Sequence, residues 1–162
     1  PRWSLETALH AIRHQMPQPM NYATSSQKTT FVRNASRAGA DWNFLVALRD
    51  RWPGKLVVKG VQSVEDALRI KTIGADAIYV SNHGGRQLDQ GLGSCAVLPE
   101  IVDAVDKKSL IVVDGSICRG TDILKAIALG ADAVRMGRMQ GNGLAAPGTA
   151  GVVRMLEIFQ NQ

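Results

Sequence analysis

The sequence predicts an α/β fold built on a parallel sheet, and three observations carry that prediction. From Trp42 onward, short apolar runs alternate with amphipathic stretches of helical length, which is the pattern of βαβ units. The pentapeptide Gly74-Ala75-Asp76-Ala77-Ile78 recurs as Gly130-Ala131-Asp132-Ala133-Val134, each time a helix stop followed at once by a strand. The residues able to do chemistry, Lys59, Ser81 to Arg86, Asp114 and Gly137-Arg138, all follow apolar runs, where a (β/α)8 barrel carries its active site. Such a barrel takes about 250 residues. Four βα units therefore amount to about half of a (β/α)8 TIM barrel.

Each element has its own signal. Trp42 to Arg51 predicts a helix, stopped by Trp52-Pro53-Gly54, where proline and glycine end the helical pattern. Leu56-Val57-Val58 is a short, wholly apolar strand. Ser63 can cap the next helix, with Glu65 and Asp66 in its first turn where they favour the dipole, and Gly74 closes it. Ala77 to Val80 is the second strand, followed after a long loop by a helix from about Ala96 to Val105. Leu110 to Val113 is the third strand and Thr121 to Leu129 the next helix, with Gly130 its stop. Ala133 to Met136 is the fourth strand, and Gly148 to Phe159 a closing helix. Before Trp42, Leu5 to Arg13 predicts a helix, while Pro17 to Ala40, rich in Ser, Thr, Asn and Gln, predicts a loop with room for one weak strand. Residues 1–162 are thus expected to form a single, partial domain, with 1–41 a loop or insert region and 42–162 the βα units.

Composition narrows the function classes. Of 162 residues, 45% are hydrophobic and 20% charged, ordinary for a globular chain. No apolar run approaches the eighteen or so residues of a membrane-crossing helix. Pro1-Arg2-Trp3-Ser4-Leu5 lacks the order of a signal peptide, and predicts an interior stretch of a longer chain. Cys95 and Cys118 have neither metal-ligand spacing nor the companions of a disulfide framework. They point to a reducing compartment, and no metal site is predicted. Net charge is +5, but no Lys/Arg run exceeds two and aromatics are 5%. That argues against nucleic acid, which calls for a basic stripe and stacking partners, and for an anionic small molecule.

The most specific stretch is Ser81-Asn82-His83-Gly84-Gly85-Arg86-Gln87-Leu88-Asp89-Gln90. It places an imidazole and a guanidinium three residues apart on a glycine-loosened turn at the end of a strand. A base next to a carboxylate clamp is what oxidation of a 2-hydroxy acid needs. The imidazole titrates near neutral pH, and the planar guanidinium binds a carboxylate in two places. The stretch resembles the signature of the FMN-dependent 2-hydroxy-acid dehydrogenases and oxidases. The resemblance covers about residues 42 to 160 well and the first 41 loosely. Pro1 to Leu5 and Met16-Pro17-Gln18 look closest to the mandelate dehydrogenase branch, in which this region is an insert that contacts the membrane.

That resemblance implies a register and roles. The four strands would be strands five to eight, the C-terminal half of the barrel. The reaction would be FMN-dependent oxidation of an (S)-2-hydroxy acid, mandelate- or lactate-like, to the 2-oxo acid. His83 would be the base and Arg86 the carboxylate clamp. Lys59 would sit beside the flavin pyrimidine edge and stabilise the reduced ring, and Ser81 would hydrogen-bond the same ring. Asp114, Gly115, Ser116, Gly137 and Arg138 would hold the phosphate end of FMN, where barrels bind phosphate after their last two strands. The implied location is cytoplasmic, with peripheral contact at the inner face of the membrane. The glycine turns alone would also suit a phosphate-binding barrel of the IMP dehydrogenase kind, which would leave Ser81 to Asp89 unexplained.

Departures from the family pattern stand out at four places. Ser116 replaces a second glycine, and Cys118 replaces an arginine, with Arg119 one position too late. Arg37 stands where the family has the aspartate that pairs with the catalytic histidine, leaving Asp41 as the acid nearby. Met139-Gln140 also replaces a Pro-aromatic pair after Gly137-Arg138. A half barrel exposes unpaired strand edges, which seek partners. The rival expectation is therefore a catalytically inactive half barrel that self-associates as a homo-oligomer or pairs with a separate N-terminal half.

Overall fold

Four parallel strands, β1 (Val57–Val61), β2 (Ala77–Val80), β3 (Leu110–Asp114) and β4 (Ala133–Arg135), pair side by side in chain order. Parallel neighbours require a crossover, supplied here by helices. Helix α1 (Trp42–Arg51) precedes the sheet, and α2 (Val64–Ile73), α3 (Ser94–Val105) and α4 (Gly120–Ala128) link its strands. Helices α5 (Arg138–Ala145) and α6 (Thr149–Gln160) follow β4. This is the α/β architecture the sequence predicts. The computed structural model describes residues 9, 12, 13 and 40–162, and the chain falls into two units, Pro1–Asp41 and Trp42–Gln162. Leu9, Ile12 and Arg13 are helical; the rest of the predicted helix, the loop with its weak strand, and Arg37 lie outside the described residues.

The two faces of the sheet differ sharply. Side chains alternate along a strand, and Ile78, Val80, Ile111 and Val113 point to the face covered by helices. There they join Ile70 of α2 and Val97, Leu98, Ile101 and Val105 of α3 in one buried cluster. The other face carries Lys59, Tyr79, Ser81 and Asp114 at the C-terminal ends of the strands. Toward the N-terminal ends it leaves Val57 at 50% and Leu110 at 58% exposure. In a closed barrel this second face is the packed interior.

The repeated pentapeptide has a physical purpose. Gly74 adopts a left-handed φ of 86° and returns its N–H to the carbonyls of α2, while Gly130 has φ 100°. Each aspartate that follows clasps the start of the neighbouring strand with two bonds. The Asp76 N–H donates to the Leu56 carbonyl at 2.9 Å, and its carboxylate accepts from the Leu56 N–H at 2.9 Å. Asp132 does the same to Ile111, at 2.8 and 2.7 Å. Asp76 also accepts from Lys55 at 2.8 Å and Arg49 at 3.3 Å. Led by the Lys55 hydrogen bond, these contacts hold its pKa down at about 2.

Boundaries differ from the sequence reading where glycine or capping intervenes. The first strand runs on to Val61, beyond Val58, because Gly60 forms a bulge between Lys59 and Val61 instead of ending the strand. Helix α3 starts at Ser94, two residues before Ala96. β4 stops at Arg135, and α5 was not predicted.

Candidate active site

The C-terminal strand ends build the site. The Gly60 bulge places Lys59 opposite Tyr79 and Val61 opposite Val80, so Lys59 faces the uncovered side of the sheet. Lys59 Nζ donates to Ser81 Oγ at 2.8 Å and lies 3.5 Å from Asp114 Oδ2. Ser81 is fully buried, and its Oγ also accepts from the His83 N–H at 3.1 Å. The Tyr79 hydroxyl donates to Asp114 Oδ2 at 2.9 Å. Asp114 Oδ1 is buried with no hydrogen-bond partner among the described residues.

The turn that presents His83 is forced by its sequence. Residues His83–Gly85 form a single 3₁₀ turn in which His83, Gly84 and Gly85 have φ of 55°, 66° and 72°. Glycine tolerates that region freely and histidine occasionally. Asn82 fixes the turn from both sides. Its Oδ1 accepts from the Gly84 N–H at 3.0 Å, and its own N–H donates to Ser94 Oγ, at the start of α3, at 3.1 Å. The imidazole lies against Gly60: a Cβ there would stand 2.7 Å from His83 Cε1. Gly60 therefore does double duty, as bulge and as seat for the ring.

After β3 the chain turns through Gly115 (φ 113°) and Ser116 (φ 56°). The serine thus keeps a left-handed conformation that glycine would adopt without cost. Beyond it, the N–H groups of Cys118 and Arg119 both donate to Asp122 Oδ2 at 3.0 Å. These bonds, that of Cys118 foremost, lower the Asp122 pKa. The Gly120 N–H donates to Gln162 Oε1 at 3.1 Å. Three N–H groups of the glycine-rich turn and the α4 start are therefore committed within the protein, which leaves a smaller anion cradle than the turn itself suggests.

One cleft of about 240 Å³ gathers most of the predicted residues: His83, Arg86, Asp114, Gly115, Ser116, Gly137 and Arg138 line it. Lys59 adjoins it through its contact with Asp114, and Ser81 through the His83 N–H. Arg135 lines it as well, a third guanidinium that the sequence reading did not single out. His83, Arg86 and Arg138 are exposed. A cleft with three guanidiniums, an imidazole and one carboxylate selects an anion that also brings hydrogen-bond donors. Asp41 belongs to the first unit, so it is not placed relative to His83. Gly60, Tyr79 and Arg135 carry no site signal in the sequence beyond a lone glycine beside a strand, which marks a bulge or close approach, and Asn82 stands there only as part of the Ser81 to Gln90 stretch.

The profile of the FMN-dependent dehydrogenase family matches residues 1–162. The chain is 44% identical over 165 residues to an (S)-mandelate dehydrogenase of Pseudomonas putida, covering 99% of this chain and 40% of that protein. It is 46% identical over 121 residues to an L-lactate dehydrogenase of Caulobacter vibrioides, covering 75% of this chain and 32% of that one. Among solved structures, the monotopic membrane protein (S)-mandelate dehydrogenase superposes with a TM-score of 0.83 at 42% identity, over 96% of this chain and 43% of that one. The chain thus spans less than half the length of these relatives, as the C-terminal half of such a barrel does. It belongs to the FMN-dependent dehydrogenase family.

Proposed function

We propose that this chain carries the cofactor- and substrate-binding end of an oxidoreductase that converts an (S)-2-hydroxy acid, mandelate- or lactate-like, to the 2-oxo acid. The observation that carries the reading is the convergence of His83, Arg86, Asp114 and Arg138 on one cleft. The residues present fit FMN. Asp114 Oδ1 is an acceptor awaiting a donor, as a polyol hydroxyl would provide. Arg138, Arg135 and the N–H groups around Gly115, Ser116 and Gly137 offer cations and donors to a phosphate. The commitment of Cys118 and Arg119 to Asp122 makes that end rely more on Arg138 and Arg135.

When bound, FMN supplies the acceptor for the electron pair. Every other role falls to the chain. The Arg86 fork holds the substrate carboxylate and so orients its carbinol carbon. The His83 imidazole takes the hydroxyl proton as the carbonyl forms. The substrate loses two electrons and two protons, the hydroxyl proton to His83 and the electron pair with the carbinol hydrogen to the bound acceptor, and leaves as the 2-oxo acid. The Lys59 ammonium places positive charge beside the cofactor site, and Ser81 holds that ammonium. One test is anaerobic addition of (S)-mandelate to the FMN-loaded chain. Bleaching of the flavin absorbance is expected, and an unchanged spectrum would overturn the reading.

Peripheral membrane contact belongs to the same proposal. It is supported by the likeness to a monotopic membrane protein and by a net charge of +5, which favours an anionic surface. Among the described residues no helix is long and apolar enough to cross a membrane. A second reading, a catalytically silent chain that pairs through its uncovered face with another half or another copy, is favoured by the exposure of Val57 and Leu110. A monomeric mass in solution would count against it.

A further inference from the structure

Tyr79 lies in the middle of an apolar strand run and is 5% exposed. An aliphatic side chain would fill the same strand position, so the hydroxyl calls for a reason. It donates to Asp114 Oδ2 at 2.9 Å, and the ring lies under the Lys59 ammonium, with Nζ 4.9 Å from its centroid. Lys59 is thereby held by three groups: the ring, Ser81 Oγ at 2.8 Å and Asp114 Oδ2 at 3.5 Å. The carboxylate is asymmetric, with Oδ2 engaged by Tyr79 and Lys59 and Oδ1 buried without a partner among the described residues. Without the hydroxyl, nothing in this arrangement would keep the carboxylate from turning to meet the ammonium with both oxygens. That would neutralise the lysine and remove the free acceptor.

We propose that Tyr79 is a positioning residue of the cofactor site. Its hydroxyl fixes the Asp114 carboxylate and its ring seats the Lys59 ammonium, keeping Oδ1 for a hydroxyl-bearing ligand and the lysine's charge for the cofactor. The inference rests on the flavin reading given above. The hydroxyl is suited to the task because it stays protonated. Burial first, and then the hydrogen bond and charge of Asp114, push its pKa up to about 12, with Arg135 acting in the opposite direction.

Two measurements test it, one without cofactor and one with FMN as the probe. In the unloaded chain, tyrosinate absorbance is titrated in the parent protein and in Asp114→Asn, with Tyr79→Phe identifying the Tyr79 component. Asp114→Asn should bring that component down toward the ordinary tyrosine range. In the loaded chain, Tyr79→Phe keeps the ring and should bind FMN about tenfold more weakly, with a lowered flavin reduction potential. Tyr79→Leu, which loses the ring too, should lower both further, with far-ultraviolet circular dichroism unchanged. A Tyr79 titration indifferent to Asp114→Asn, or a Tyr79→Phe chain with parental affinity and potential, would overturn the proposal. A parent chain that shows the Asp114-dependent titration but binds no FMN would overturn the flavin reading and the cofactor half of this proposal, leaving the clamp on Asp114 supported.

Discussion

The two ends of the same four-stranded sheet use aspartate in opposite ways. At the N-terminal ends, Asp76 and Asp132 each close a two-bond clasp on the start of the neighbouring strand. At the C-terminal ends, Asp114 has one oxygen bound twice and the other buried with no partner among the described residues. Backbone conformation does not separate the two ends: left-handed non-glycine residues occur at both, Asp106 and Lys107 before β3 and His83 and Ser116 after β2 and β3. The carboxylates carry the contrast. An unpaired buried acceptor costs free energy, and such a cost collects where a ligand is to be met. On the proposed reading one end of the sheet holds and the other binds.

That contrast can be broken by substitution, and the largest effect should fall on chemistry. His83→Gln should lower turnover by about a hundredfold or more while FMN stays bound, read by steady-state rates beside the flavin spectrum. Gly60→Ala should follow. Its methyl would meet His83 Cε1 at 2.7 Å and strain a φ of 101°, so turnover should fall about tenfold as the ring is displaced, again with flavin retained. At the holding end, Gly130→Ala puts a Cβ 2.6 Å from Val102 Cγ1 at a φ of 100°. It should cost about 2 kcal/mol of stability in urea unfolding without changing FMN affinity. Ser116→Gly should act in the reverse sense, stabilising the chain by about 1 kcal/mol as the left-handed strain is relieved. The smallest effect sharpens the comparison by pH. The folded pKa of Asp76, about 2, lies below its ordinary 3.8. Its contribution is therefore present above the unfolded value and lost as pH falls through about 4 to about 2. Asp76→Asn should lower the urea midpoint at neutral pH, and the difference from the parent should vanish at the acid end.

What the sequence disclosed follows the same division. The clasps were visible as a repeated pentapeptide, because a glycine stop followed by an aspartate and a strand is a local device that leaves a local trace. The turn carrying His83 and Arg86 was visible because its residues are contiguous. Tyr79 was not, since a tyrosine inside Ala77-Ile78-Tyr79-Val80 is indistinguishable from core until a carboxylate 35 residues away meets its hydroxyl. Arg135 lay inside the predicted strand Ala133 to Met136, and Gly60 beyond the predicted strand Leu56-Val57-Val58. Helix α5 escaped because Arg138 to Ala145 contains two glycines and no apolar period. The commitment of Cys118 and Arg119 to Asp122 was equally hidden, since the glycine-rich turn gives no hint of where its N–H groups point.

The most direct test of the account pairs Asp76→Asn with Asp114→Asn, measuring the thermal midpoint and FMN affinity by flavin fluorescence in both. The account predicts a crossed result. Asp76→Asn lowers the midpoint and leaves FMN affinity intact, while Asp114→Asn weakens FMN binding about tenfold or more with the smaller change in midpoint. Parallel losses in both variants, or parental FMN binding by Asp114→Asn, would contradict the assignment of the C-terminal strand ends as the cofactor site.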